Sequence, residues 1–354
     1  MTDVVISAEE LRRYAACIIS GAGSIDAEAR IVAEHLVGAN LRGHDSHGVG
    51  MIPAYVNNVR VGALRANQHA TLVQDSGPIA IFDGNMGYGQ VIASEATEVA
   101  IARAGAHGVG IFGLRQTHHV GRVGAYAEQA LAAGMVFIGF VNVITPSARS
   151  APFGGRRGRY GTNPICIGFP AAGADGPVLL DFATTGLAAG KIRVARHQGK
   201  SLPPGMLIDG QGMATTDPAV FFEDRDSSML SFGGYKASGL ALACEVLAGA
   251  LTGSGVIREA VLGKPAIRNG MLGIVLDPAR FGALDDIRAE AEAVIDWVKS
   301  APSGPDSRGV MIAGDPERRA MAERAVAGIA VDGVTWAELG AAASLVGAGP
   351  PDIG

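Results

Sequence analysis

Long apolar runs are the first thing this sequence lacks. No stretch reaches the ~18 residues that cross a bilayer, and Met1 to Glu10 has neither the basic segment nor the apolar core of a secretory signal. The expectation is a soluble, cytoplasmic protein with no membrane partner. Cysteine is scarce as well. Cys17, Cys166 and Cys244 are far apart, odd in number and form no CxxC pair, which argues against a disulfide framework and against a thiolate zinc site. Positive charge is in deficit: 29 Lys and Arg against 34 Asp and Glu leave a net charge of −5, the wrong sign for a nucleic-acid binder. The basic knot Arg156-Arg157-Gly158-Arg159 is too short for that role; it suits a solvated loop or a small anion.

Glycine, by contrast, is in excess. The 51 glycines among 354 residues are roughly twice the usual ~7% and follow no period, so they mark tight turns and close backbone approaches. Hydrophobic residues make up 48% of the chain and charged ones 18%, enough apolar material for a sizeable core.

Strand and helix signals alternate along the whole chain. Ser7-Ala8-Glu9-Glu10 reads as a capping box opening a helix to about Ser20. A second helix spans Asp26 to Asn40, with Ile31, Val32, His35, Leu36 and Ala39 on one stripe. After a turn at Gly43 to Val49, another helix runs to about Val61. Strands are expected within Val73 to Asp83, Gly108 to Leu114, Val136 to Val143, Ile165 to Phe169, Val178 to Phe182, Met271 to Leu276 and Gly309 to Ile312. Helices are expected over Gly87 to Gly105, Gly121 to Gly134, Gly234 to Leu251 and Leu284 to Lys299, with two more at the end. The Gly199 to Asp217 region reads as an extended excursion. This mixture predicts an α/β or α+β fold.

Each candidate motif has a competing bland reading. Gly108-Val109-Gly110-Ile111-Phe112-Gly113 spells GxGxxG, but its glycines lie inside an apolar strand, no helix follows at once, and no acidic residue ends a strand about 20 residues on. The dinucleotide fingerprint is therefore a false match. Asp45-Ser46-His47 has the residue types of a hydrolase triad, yet consecutive residues do not converge as a triad must, and no GxSxG elbow exists. A turn binding its own backbone is the plainer reading, with a ligand-binding turn left open. Neither His44 with His47 nor His118 with His119 comes with the further ligands of a zinc site, so no metal is expected. The His118-His119 pair, in a polar strand-to-helix connection, can be structural or functional. Histidine's pKa of ~6.5 suits proton transfer near neutral pH, and a helix starting near Gly121 would offer free N–H groups to a phosphate or carboxylate. Lys191 and Arg193 read as a solvated helix face.

Six segments in one order carry a resemblance. They are Gly43-His44-Asp45-Ser46-His47-Gly48-Val49, Thr117-His118-His119-Val120-Gly121, Ala151-Pro152-Phe153-Gly154-Gly155, Gly161-Thr162-Asn163-Pro164, Asp181-Phe182-Ala183-Thr184-Thr185 and Gly234-Tyr235-Lys236. Together they resemble the malate/L-lactate dehydrogenase type 2, or sulfolactate dehydrogenase-like, family across essentially the whole chain. Gly50 to Val56, Pro203-Pro204-Gly205 with Leu207-Ile208-Asp209, and Trp297-Val298-Lys299 resemble its hydroxycarboxylate dehydrogenase branch.

The resemblance implies a non-Rossmann α/β fold with a mixed sheet and helical N- and C-terminal segments. It implies three stretches: a helical residues 1–75 packing with the C-terminal region, a central cofactor-binding domain over 76–270, and residues 271–354 completing the first. It implies a homodimer transferring a hydride between NAD, or NADP, and a small 2-oxoacid or 2-hydroxyacid, bulky or aromatic side chains included. A cyclic imine reductase and a catalytically silent dinucleotide binder are the alternatives. It places the general acid/base on His119, with Ser46 and His47 orienting the reactants. Cofactor contacts fall on His47, Gly121, Arg122, Val123, Leu179, Leu180, Asp181, Phe182, Ala183, Tyr235, Asn269, Gly314, Asp315, Pro316 and Glu317. An acidic Glu317 facing the ribose would favour NAD. Two departures stand out. Met51 occupies a position where many relatives carry an arginine for the substrate carboxylate, leaving Arg122, Arg149, Arg156 and Arg159 as candidates and room for a bulkier side chain. Ala237 follows Lys236 where many relatives have glycine.

Overall fold

The computed structural model describes residues 3–350 apart from 172, 174–175, 198, 264–266, 306 and 308. In chain order the elements are β1 (Val4–Ile6), α1 (Ala8–Gly21), α2 (Asp26–Leu41), α3 (Ile52–Arg60), β2 (Thr71–Ser76), β3 (Ile79–Asp83), α4 (Gly89–His107), β4 (Val109–Thr117), α5 (Gly124–Ala132) and β5 (Val136–Ile144). They continue with β6 (Ile165–Phe169), β7 (Val178–Phe182), α6 (Ala189–His197), β8 (Leu207–Ile208), β9 (Ala214–Thr215), α7 (Ala219–Glu223), β10 (Ser228–Met229) and α8 (Tyr235–Cys244). The last are β11 (Arg268–Leu276), α9 (Leu284–Lys299), α10 (Asp315–Ala327), β12 (Ile329–Val331) and α11 (Gly333–Leu345).

A seven-stranded mixed sheet in the order β2-β3-β4-β11-β5-β6-β7 forms the centre. Only β3 and β4 run parallel within it; the remaining neighbours are antiparallel. That order is not the doubly wound parallel sheet of a dinucleotide fold. The glycines of the false fingerprint have another job. Gly108 caps α4 in the left-handed conformation. A Cβ on Gly110 would lie 2.0 Å from the carbonyl oxygen of Ala100, so the bare strand lets α4 press onto β4.

Three apolar clusters follow from the burial pattern. One joins α1, α2 and α3 to Ile329, Val331, Leu339 and Ala342 near the other end of the chain. A second fills the space between the central sheet and helices α4 and α5. A small third lies under the 187–229 region, where β8, β9 and β10 make a sheet of their own; β8 and β9 fall inside the excursion expected over Gly199 to Asp217, and β10 lies beyond it.

Several expectations shift. Ser7 does cap α1, accepting from the Glu10 N–H at 3.2 Å. Ile31, expected on the buried stripe of α2, is 43% exposed; Val32, Leu36 and Ala39 of that stripe are buried, together with Ala29, Ala33 and Val37. No strand forms over Gly309 to Ile312. The short strand of that region is β12, which pairs with β1 instead. Helix α8 runs on as a wider π-helical turn, Glu245–Ala250. The helix expected from Gly121 begins at Gly124.

Candidate active site

The turn carrying Ser46 and His47 is held from three sides. Asn40 at the end of α2 donates to Asp45 Oδ1 at 2.7 Å and accepts from the Val49 N–H at 2.9 Å. Arg324 of α10 grips both oxygens of Asp45 at 2.7 and 3.0 Å, the bidentate geometry that orders a carboxylate most firmly. A Cβ on Gly48 would lie 2.3 Å from Asn40 Oδ1, so only glycine fits there. Asp45 is thus spent on Arg324 and Asn40. Ser46 Oγ does approach His47 Nδ1, at 3.1 Å, but among the described residues no third member completes a triad.

The second segment leaves β4 through a strained corner. Asn85, Met86 and Gln116 have φ of 50°, 59° and 50°, a region costly to non-glycine residues. Gly87 O receives the His118 N–H at 3.1 Å. His118 points inward and is fully buried. Its Nε2 accepts from Asn58 Nδ2 at 3.0 Å, and its Nδ1 has no partner. His119 faces the other way. Its Nδ1 lies 2.7 Å from Tyr55 Oη, and its ring stacks on His47 with centroids 5.6 Å apart and planes 15° apart. Gln90 Nε2 in turn donates to Tyr55 Oη at 2.9 Å.

Beyond His119 the chain loops through Gly121 at φ 70°. A side chain there would meet His35 Nε2 at 2.4 Å. The N–H of Arg122 donates to His35 Nε2 at 2.9 Å, and that of Gly124 to Asp181 Oδ2 at 2.7 Å. These two N–H groups are therefore committed, so neither is one of the free donors expected at this helix start. The Arg122 side chain is 3% exposed. Its Nη2 pairs with Glu128 at 2.6 Å, while its Nη1 is buried without a partner.

These segments wall a cavity of about 550 Å³. Of the residues expected at the site, Ser46, His47, Gly121, Arg122, Val123, Asp181, Phe182, Ala183 and Glu317 line it. Ser46, Pro316 and Glu317 also line an adjoining cavity of about 540 Å³. The others lie elsewhere, and His119 itself lines neither cavity, meeting the first through its ring contact with His47. Leu179 packs in the central cluster, and Leu180 is exposed on the sheet's far face. Tyr235 is exposed beside Phe153. Asn269 is buried and braces Val120 N at 2.9 Å. Asp315 is bound to Arg318 at 2.6 Å, after Gly314, which takes a left-handed φ of 99°. Among the arginines considered for a substrate carboxylate, only Arg122 reaches the cavity. Arg149 lies over Phe221, 4.2 Å from its centroid, and donates to Ser227; Arg156 and Arg159 are exposed outside. Met51 packs against the terminal cluster and lines neither cavity.

Residues that pattern alone passed over complete the wall. Lys191 lines both cavities because Gly190 lets α6 press on the turn: a Cβ there would come within 2.6 Å of Ser46 Cβ. His44 Nε2 stands 3.2 Å from Glu317 Oε1. His44 was visible in its motif. Tyr55, Gln90 and His35 looked like ordinary members of helices.

Burial sets the electrostatics. It lowers the pKa of His35 to about 3 and of His47 to about 4, nearby Arg122 adding to both. It lowers His118 to about 4. His119 is pushed well below the ordinary value by burial and then by His47, His118 and His35. Burial raises Asp181, against the pull of Arg122 and the Gly124 N–H. The hydrogen bond from His44 lowers Glu317. The cavity thus joins the neutral imidazole of His47 to one buried cation, one exposed cation and two carboxyl groups. That set suits an anionic substrate and a proton transfer. Among the described residues no three His, Cys, Asp or Glu side chains converge to hold a metal ion, and no helix is long and apolar enough to cross a membrane.

Comparison with known proteins agrees with this architecture. The family model for malate/L-lactate dehydrogenase matches residues 6–340. Hydroxycarboxylate dehydrogenase B of Escherichia coli O157:H7 is 43% identical over 343 residues, covering 96% of this chain and 94% of its own. L-lactate dehydrogenase of Cupriavidus necator is 36% identical over 286 residues, 81% of this chain and 82% of its own. The structure of sulfolactate dehydrogenase from Methanocaldococcus jannaschii superimposes with a TM-score of 0.86 at 30% identity, over 98% of both chains.

Proposed function

We propose a specific reaction for this chain, which belongs to the malate/L-lactate dehydrogenase family: reversible reduction of a 2-oxoacid to a 2-hydroxyacid with a nicotinamide cofactor, NAD in preference to NADP. The observation that carries it is His119, tied through Nδ1 to Tyr55 and stacked on His47, which lines a cavity that holds Arg122, Asp181, Lys191 and Glu317.

The residues present fit the cofactor. The cavity and its neighbour are each within the ~300–1,000 Å³ of small-molecule sites. Arg122 Nη1 is a buried donor without a partner, suited to a phosphate oxygen. Gly121, Val123 and the strand end Asp181-Phe182-Ala183 border the same space. Asp181 and Glu317 offer acceptors to ribose hydroxyls, and Glu317 would repel a 2′-phosphate. When bound, the nicotinamide supplies or accepts the hydride at the substrate's C2.

The chain's own side chains handle charge and proton. In reduction, the imidazolium form of His119 gives its Nε2 proton to the carbonyl oxygen as C2 gains the hydride, leaving a hydroxyl and a neutral ring. Oxidation reverses this, with Nε2 as base. Ser46 and His47 orient the reacting group. Lys191, with no hydrogen bond or ion pair among the described residues, takes the substrate carboxylate in place of the arginine missing at 51. The organisation belongs to the same proposal. Residues 1–75 and 271–354 form one unit about a central 76–270, supported by their shared apolar cluster, with β11 running on into the central sheet. Exposed Tyr235, Leu242, Val246 and Leu251 support a homodimer.

The test is turnover of pyruvate, oxaloacetate, phenylpyruvate and cyclic imine carboxylates, followed by absorbance of NADH and of NADPH. His119→Ala is expected to lower kcat by the ~10²–10⁴-fold that general acid–base loss costs. Turnover of every probe at the wild-type rate by that variant would overturn the assignment.

A further inference from the structure

Tyr55 and Gln90 are buried polar groups that the reaction as described does not use. Tyr55 is 0% and Gln90 1% exposed, so their hydrogen bonds must be satisfied inside the protein. Tyr55 Oη has two partners, His119 Nδ1 and Gln90 Nε2. An amide nitrogen only donates, so the phenolic hydrogen goes to His119 Nδ1. That ring nitrogen is then an acceptor, and the neutral ring carries its hydrogen on Nε2. Gln90 Oε1, meanwhile, is buried with no partner.

This arrangement does not suit the charged ring. An imidazolium has hydrogen on both nitrogens, so Nδ1 must donate to Tyr55 Oη. The phenolic hydrogen then needs another acceptor. Among the described residues, the uncommitted oxygen beside it is Gln90 Oε1, at the other end of the amide that now presents its nitrogen. A half-turn of the amide supplies it. The chain of bonds then runs Nδ1–H to Oη and O–H to Oε1, and no covalent bond in Tyr55 or Gln90 changes.

We propose that Gln90 is a positioning residue for His119, its side-chain amide turning end for end and thereby setting, through Tyr55, whether His119 Nδ1 accepts a hydrogen bond or donates one. The substrate's proton is exchanged at Nε2, so the imidazolium and the neutral base it leaves both keep hydrogen on Nδ1. Both need Gln90 Oε1 towards Tyr55, whereas the orientation seen here holds a neutral ring whose Nε2 already carries hydrogen. The other groups facing His119 are His47 on the turn, His118 beside it and His35 on α2. All three oppose its charging, which leaves the Tyr55–Gln90 pair as the arm able to favour it. The inference rests on His119 as the acid/base of the proposed reaction.

Two substitutions pull in opposite directions. Gln90→Met keeps the side-chain length but offers no acceptor to Tyr55. Gln90→Glu always offers one. The titration midpoint of His119 is read by NMR on the full-length protein carrying 13C-labelled histidine, and the pH profile of kcat/KM for pyruvate reduction is read beside it. The Glu variant is expected to titrate above the Met variant by ~1 pH unit or more, about tenfold in proton affinity. Within a Tyr55→Phe background that difference should vanish. Midpoints that coincide, or that fall in the reverse order, would overturn the proposal. So would a difference that persists without the Tyr55 hydroxyl, since the effect would then act through space. The NMR arm needs no turnover. An active His119→Ala enzyme refutes the assignment of the acid/base while leaving the coupling measurable.

Discussion

Lowering the pH from 7 to 5 should destabilise the folded chain, and His118→Gln should remove a defined part of that loss. His118 is completely buried, its Nε2 takes a hydrogen bond from Asn58, and its pKa falls to about 4. Charging it would set an N–H against the Asn58 amide donor, in a pocket otherwise closed by the edge-on ring of Tyr55. In the unfolded chain the same ring titrates near 6.5. Between those values the unfolded state binds a proton that the folded state does not, so stability is fully present above pH ~6.5 and drains as pH falls towards 4. At ~1.36 kcal/mol per pH unit, about 1.5 units between 6.5 and 5 come to about 2 kcal/mol from this residue alone. His35 and His47, lowered in the same way, add to the total. Glutamine retains an acceptor for Asn58 and cannot be charged in this range. Urea unfolding followed by the fluorescence of Trp297 and Trp336 at pH 7, 6 and 5 measures the slope. The variant should lose about 2 kcal/mol less than the parent across that range, whatever its stability at pH 7. Equal slopes in the two proteins would show that His118 does not carry the linkage.

Other outcomes follow from the same geometry. Gly121→Ala places a Cβ against His35 at a left-handed φ, and should cost about 2 kcal/mol or more in denaturant unfolding. Lys191→Gln should raise KM for every 2-oxoacid by roughly tenfold or more while kcat changes less, because a substrate-binding contact is lost rather than the proton transfer. Glu317→Gln should narrow the proposed preference for NADH over NADPH by about tenfold (~1.4 kcal/mol) in kcat/KM. Reduction should slow as pH rises through neutrality, since the His119 pKa lies well below 6.5, and oxidation should not.

Much of the scaffold was legible because long periodic segments declare themselves. The capping box at Ser7, the helices α1, α2, α4 and α9 and the apolar strands β5, β6 and β7 fall within a few residues of where pattern puts them. Three-residue strands such as β1 and β12 carry too little periodicity to read, and their pairing joins residues more than 300 apart in the chain. The site divides along the same line. Arg122, Asp181 and Glu317 stand in motifs at element ends, where a polar group in an apolar stretch attracts notice. Tyr55 and His35 come from within α3 and α2, and Gln90 from the first turn of α4; only packing brings Tyr55 to His119, His35 to its loop and Gln90 to Tyr55. Nothing local separates a buried glutamine that serves a histidine from one that serves its own helix.

The position of β11 has a consequence for how the chain reaches this fold. It lies between β4 and β5, and its residue Ile274 stands opposite Ile111 on one side and Ile138 on the other. During synthesis, β4 and β5 emerge long before the strand that must separate them. For that interval both present unpaired edges and apolar faces, a state open to premature pairing with each other or with neighbouring chains. Closure of the sheet is a late, long-range event and should be slow. A chain cut between α5 and β11 would leave neither fragment with a complete sheet, so complementation would have to rebuild the centre rather than dock two finished halves.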